Sequence, residues 1–221
     1  MNTLKLRFDI LDETRRQLLD QLIPLTNDFV LAGGTALALQ IGHRKSFDFD
    51  FFSLNDIPNG LLEKFAQFVN VESVAIDNHQ ELTLFCKDHI KVTLLNYPFA
   101  SIYQPFVIDK GLRIFPYKEI AIQKAYTIGR RGEYRDYFDL FTLLQKPDIN
   151  LSQIIQDANH KYQNLFNAKL FLEQLIYFDD LLNLEIIPLD DTVPPSSDEV
   201  KKILQHEVKT FLASDTIQPR L

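Results

Sequence analysis

Two aspartates, Asp48 and Asp50, stand at i and i+2 inside the aromatic run Phe47-Asp48-Phe49-Asp50-Phe51-Phe52. In an extended chain, residues two apart project to the same face. The spacing therefore predicts both carboxylates on one side of a strand, with Phe47, Phe49 and Phe51 on the other. Ionised carboxylates are costly among phenylalanines, and two that close repel each other unless a cation lies between them. Hard oxygen ligands select Mg²⁺ or Mn²⁺ over zinc. Upstream, Leu31-Ala32-Gly33-Gly34-Thr35 puts a glycine pair between a short apolar strand and a helix. Gly33 and Gly34 let the backbone come close to a triphosphate, which N–H groups at the helix start then cradle, and Thr35 can add a hydroxyl. Two metal ions on such a site activate an attacking oxygen and stabilise a leaving pyrophosphate. The bland reading is a turn and an edge strand with an acidic solvent face, since D-x-D and G-G are each common alone. What favours a nucleoside triphosphate (NTP) site is the order: strand, Gly-Gly-Thr helix, D-x-D strand.

The surrounding pattern supplies elements to hold these residues. Asp12–Leu25 has apolar residues at helical spacing, and Asp28–Ala32 reads as a short buried strand. Thr35–Ile41 is a helix ended by Gly42, Ser46–Ser53 a strand, and Asn59–Val69 a helix with an apolar stripe. Val71–Ile76, Leu82–Cys86 and Ile90–Leu95 are strand-like runs separated by turns. The second half is helical: Tyr117–Ile128, then an interruption at Gly129-Arg130-Arg131-Gly132, then Arg135–Leu144, Leu151–Tyr162, Ala168–Leu182 and Glu199–Leu212. Pro188–Ser197 reads as a linker. Prolines cluster at 98, 105 and 116 and suggest a boundary there. The expectation is an α+β fold: a mixed sheet with flanking helices over residues 1–105, then a helical domain over 106–221.

The bulk properties narrow the class. With 221 residues, 46% hydrophobic and 18 Phe, the chain has ample material for a packed core. No apolar run approaches 18 residues, so no membrane helix is expected. The N-terminus lacks the apolar region of a signal peptide, and one cysteine, Cys86, excludes an internal disulfide or a multi-cysteine zinc site. These features fit a cytoplasmic protein. A net charge of −7 disfavours unspecific nucleic-acid coating. Residues 110–135 nevertheless carry seven Lys or Arg against two Glu, and residues 179–199 carry seven acids and no base. A local basic patch suits a polyphosphate or an RNA end; solvated faces are the plainer account.

Gly33-Gly34-Thr35-Ala36-Leu37-Ala38-Leu39, Gly42-His43-Arg44-Lys45-Ser46 and Asp48-Phe49-Asp50-Phe51-Phe52 together resemble the signature of the AbiEii/AbiGii toxin family, part of the DNA polymerase β-like nucleotidyltransferase superfamily. Glu119-Ile120-Ala121-Ile122-Gln123-Lys124, Gly129-Arg130-Arg131 and Arg135-Asp136-Tyr137-Phe138-Asp139-Leu140 resemble that family's helical segment. The resemblance spans roughly residues 28–145. It implies that Gly33, Gly34 and Thr35 bind the triphosphate and that Asp48 and Asp50 bind metal. Lys124 would contact phosphate or base; a snorkelling helix lysine is the plain alternative. Asp139 would either orient Lys124 or face the nucleotide. Asp136, three residues earlier, is placed on another face. The implied activity is transfer of NMP from an NTP to an acceptor, RNA among the candidates, by a toxin with a cognate antitoxin.

One position departs from the superfamily pattern. A third carboxylate is expected on a later strand, and His89-Ile90-Lys91-Val92-Thr93-Leu94-Leu95 offers Thr93 there. Threonine is no base at neutral pH and no anionic ligand. Three outcomes stay open: activation by metal alone, substitution by Glu81 or Asp77, or a catalytically degenerate module that binds nucleotide or partner.

Overall fold

The computed structural model describes residues 6–128, 130–181 and 183–215. Asp12 accepts a hydrogen bond from the Arg15 N–H and so caps α1, Glu13–Leu22. Such a cap contributes about 1 kcal/mol. The chain then forms β1 (Val30–Ala32), α2 (Gly33–Ile41), β2 (Phe49–Ser53) and α3 (Leu61–Phe68). Three longer strands follow: β3 (Val71–Asp77), β4 (Glu81–Cys86) and β5 (Ile90–Asn96). Two-residue strands β6 (Phe106–Val107) and β7 (Arg113–Ile114) complete a seven-stranded mixed sheet of order β3-β4-β5-β2-β1-β7-β6.

Register separates the two faces of this sheet. Leu31 pairs with Phe51, Phe51 with Leu94, and Leu94 with Leu82. All four are fully buried, and this row is the centre of the core. Phe49, Val92, Leu84 and Cys86 extend the same face, each 1% exposed or less. Cys86 packs as a small apolar residue, as its strand context predicts, and burial pushes its thiol up to about 11. The opposite face carries Asp50 and Thr93. At the edge, β3 pairs with β4 through two register shifts, and six of its seven residues are exposed.

The second half contains α4 (Tyr117–Ile128), α5 (Tyr134–Leu144), α6 (Leu151–Tyr162), α7 (Ala168–Leu175) and α8 (Ser197–Asp215). Asn150 caps α6 and Asn167 caps α7, each through its side-chain oxygen. α8 packs on α5, α6 and α7. The helix expected over Ala168–Leu182 ends at Leu175, and Leu182 lies outside the described residues. Its apolar spacing continues beyond the helix because Phe178 and Leu181 still turn inward. Gly129, read as part of the interruption after α4, also lies outside the described residues; the neighbouring Arg130 is in a turn.

The chain divides into two compact units, residues 1–120 and 121–221. The sequence reading drew its line between 105 and 106; β6 and β7 lie beyond that line and extend the first unit's sheet. No helix among the described residues is long and apolar enough to cross a membrane.

Candidate active site

The glycine pair does two jobs. Gly33 has φ +66°, a left-handed conformation that side chains rarely adopt. A Cβ built on it would lie 2.5 Å from Asp50 Oδ2, and a Cβ on Gly34 would lie 2.5 Å from Arg44 Nη2. The missing side chains thus admit the Asp50 carboxylate and the buried Arg44 guanidinium to the first turn of α2. Arg44, quoted in the motif but given no role, is 4% exposed and donates through Nη1 to the Lys45 carbonyl at 2.9 Å. A cation at that position of a glycine-rich turn was the signal that could have found it.

Asp48 does not sit inside the strand. β2 begins at Phe49, so Asp48 belongs to the end of the preceding loop. That loop is pinned from two helices. The Thr35 hydroxyl bonds to Ser46 Oγ at 2.9 Å and donates to the Asp48 carbonyl. Arg15 of α1 donates through Nε to the Phe47 carbonyl at 3.1 Å, and its guanidinium lies 4.9 Å from the Phe47 ring centroid. Thr35 is 2% exposed. Its hydroxyl is committed to the loop that carries Asp48, a positioning contact rather than an open ligand for phosphate.

Across the sheet, Asp50 is flanked by Ala32 on β1 and Thr93 on β5, and Thr93 by Thr83 on β4. Paired residues share a face, so the position of the expected third acid lies directly beside Asp50. The Thr93 hydroxyl is buried and has no hydrogen-bond partner among the described residues. Of the two substitutes considered, Asp77 pairs with Leu82 and therefore belongs to the core-side register, whereas Glu81 shares the face of Asp50. Glu81 accepts the Thr83 hydroxyl at 2.6 Å. No group of three or more acids, histidines or cysteines among the described residues could hold a metal ion. Asp48, Asp50 and the orphaned Thr93 hydroxyl would offer a metal only oxygen donors. Such a set fits Mg²⁺, which commonly takes one or two protein carboxylates and fills its remaining positions with water and phosphate oxygens.

A second cluster of motif residues occupies the second unit. Lys124 of α4 is 6% exposed, and its Nζ lies 2.7 Å from Asp136 Oδ1 and 2.6 Å from Asp139 Oδ2, both on α5. Asp139 thus meets Lys124, one of the two roles open to it. The placement of Asp136 on another face is corrected: it is 1% exposed and grips the same ammonium. Residues three apart on a helix are neighbours on one face. Arg131 adds Nε at 2.8 Å and Nη2 at 3.3 Å to Asp136. Burial alone would raise the Asp136 pKa, but Lys124 and Arg131 together hold it below the ordinary carboxylate value. Other cations of the expected basic patch also have contacts: Lys110 pairs with Asp20 at 2.7 Å, and Arg130 lies over the Tyr126 ring at 3.6 Å. The structure therefore gathers Gly33, Gly34, Thr35, Asp48 and Asp50 in one unit, and Lys124 and Asp139 in the other.

Known proteins resemble this chain in sequence and in fold. A relative from Aquifex aeolicus (strain VF5), the uncharacterised protein aq_aa25, is 30% identical over 206 residues, covering 91% of this chain and 98% of its own. A crystal structure of a proposed nucleotidyltransferase from H. pylori superposes with TM-score 0.54 at 22% identity, covering 95% of this chain and all of that one, which supports a shared fold. The family model described as nucleotidyl transferase AbiEii toxin, type IV toxin–antitoxin system, matches residues 17–214. The chain belongs to the AbiEii nucleotidyltransferase toxin family.

Proposed function

We propose that this protein transfers a nucleoside monophosphate from an NTP to an acceptor hydroxyl, with RNA as the acceptor, and that a cognate antitoxin restrains it. The observation that carries the reading is the approach of the Asp50 carboxylate to the Gly33 turn at the start of α2. That contact joins an acid to a helix N-terminus, where backbone N–H groups favour phosphate. Asp48 and Asp50 would hold Mg²⁺ or Mn²⁺, which when bound neutralises charge on the α-phosphate and the leaving pyrophosphate. The acceptor oxygen bonds to the α-phosphorus, the bond from that phosphorus to the bridging β-oxygen breaks, pyrophosphate departs, and the hydroxyl proton leaves to water. Thr35, Arg15 and Arg44 keep the Asp48 loop and the glycine turn in register for this. Lys124 and Arg131 neutralise Asp136 and Asp139 within the second unit.

The test is incubation with labelled NTPs, Mg²⁺ and total RNA. Label should pass to RNA with the parent and be lost with Asp50→Asn; transfer that survives Asp50→Asn rejects the reading. A second reading follows from Thr93: with a neutral hydroxyl beside Asp50, the chain binds nucleotide without catalysis. Retained Mg–NTP binding with no transfer to any acceptor selects it.

A further inference from the structure

On the Asp50 face of the first unit lies a cavity of about 250 Å³. Its walls include Phe52, Tyr97 and Phe115, and its polar lining includes Asp28, Gln104 and Arg113. We infer that this cavity binds an unpaired nucleobase of the acceptor strand, holding the end of that strand beside Asp50; the inference rests on the transferase reading and supplies its acceptor site.

Position is the first argument. Phe52 follows Asp50 by two residues on the same face of β2, roughly 7 Å along the strand at ~3.3 Å per residue. Val30 pairs with Phe52 and Leu31 with Ile114, which places the neighbouring Arg113 on that face as well. A ring seated on Phe52 keeps its own ribose hydroxyls close to Asp50.

Chemistry is the second. The Phe52 and Tyr97 rings are stacked at 4.7 Å and 26°, and Phe115 meets Phe52 at 6.5 Å. Of these rings Phe52 is the half-buried one, and an accessible ring face selects flat ligands, since every base has a face to offer it. The cavity's volume lies just below the ~300–1,000 Å³ of pockets for drug-sized ligands, a size that suits a single base. The Arg113 side chain is half-buried and makes no hydrogen bond or ion pair among the described residues. A guanidinium beside an aromatic wall suits the phosphate of a stacked nucleotide. Asp28 and Gln104 offer hydrogen bonds to a base edge.

Preorganisation is the third. The loop that closes this cavity is fixed by Glu119, which is fully buried and accepts the N–H groups of Ile102 and Tyr103 at 3.0 Å each. A recognition wall held this way loses little freedom on binding.

The experiment measures fluorescence anisotropy of fluorescein-labelled tetranucleotide RNAs with the full chain, and separately the binding of Mg–NTP. Phe52→Leu should weaken RNA binding about tenfold, within the ~1–3 kcal/mol of a base stacked on an aromatic ring. Phe52→Tyr keeps a ring and should bind as the parent does, which separates lost stacking from lost folding. Arg113→Gln should lower the salt slope by about 0.7, the value for one phosphate on a single strand. Mg–NTP binding should be unchanged in all three. RNA affinity equal in parent and Phe52→Leu, or no RNA binding by the parent, overturns the inference; so does a parallel loss of Mg–NTP binding, which would make this the site of the incoming nucleotide. RNA binding that depends on Phe52, in a protein that transfers no label, upholds the cavity while the transferase reading fails.

Discussion

Removing the ammonium of Lys124 should expose how much of the second unit rests on it. In Lys124→Met the side chain keeps a similar length and loses its charge. Lys124, Arg131, Asp136 and Asp139 sum to zero charge; the variant leaves one buried negative charge in excess. Asp136 still has Arg131 at 2.8 Å, although that arginine's side chain is 60% exposed and partly screened. Asp139, 0% exposed, loses an ammonium at 2.6 Å. Breaking a buried pair from one side costs about 3–5 kcal/mol, which for a chain of this size lowers Tm by roughly 6–20 °C. The measurement is urea and thermal unfolding followed by circular dichroism. A carboxylate left uncompensated takes up a proton more readily, so the deficit should shrink as pH falls from 7 toward about 5. A variant within about 1 kcal/mol of the parent at pH 7, with no such pH dependence, would refute a structural role for Lys124.

Three further outcomes follow from the same geometry. Gly33→Ala combines φ +66° with a Cβ 2.5 Å from Asp50 Oδ2; it should destabilise by more than ~1 kcal/mol in urea titration and weaken Mg–NTP binding in calorimetry. Asp136 has a depressed pKa in the folded protein, so its contribution is present at neutral pH and is lost as pH falls below the ordinary value of 3.8; Asp136→Asn should flatten the acid limb of the stability curve, and an unchanged limb would contradict the assignment. Thr93→Asp places a third acid beside Asp50, so Tm should fall without divalent cation and recover with Mg²⁺; a Tm indifferent to Mg²⁺ would show that the two positions do not share a site.

Much of the fold was legible where periodicity runs long enough to be unambiguous. Tyr117–Ile128 and Leu151–Tyr162 are helices over the expected residues. The strands β3, β4 and β5 appear with their ends moved by a residue or so. β6 and β7 were not legible: two-residue strands carry no alternation, and Pro105 and Pro116 beside them read as breakers. The carboxylate pair was legible as chemistry but not in its detail. Alternation correctly separated Asp50 from Phe49 and Phe51, yet the strand begins one residue too late to include Asp48, because Thr35 and Arg15 hold that segment in a loop. Asp136 lies beside Asp139 because residues three apart share a helix face, whereas Arg131 lies outside both helices, where no periodicity marks it.

The β3 edge has a consequence for the protein in concentrated solution. Val74 and Ile76 on this strand are 43% and 38% exposed, on opposite faces because a register shift lies between them. A flat edge of that composition would recruit a second copy strand to strand. Here the two register shifts bend the edge out of plane, and Glu72 and Asp77 bracket the apolar pair with like charge. Two adjoining edges would meet misaligned and repelling at once. Solubility at this margin of the sheet is therefore secured by irregularity and charge, in a stretch whose residues a hydropathy profile would flag as adhesive.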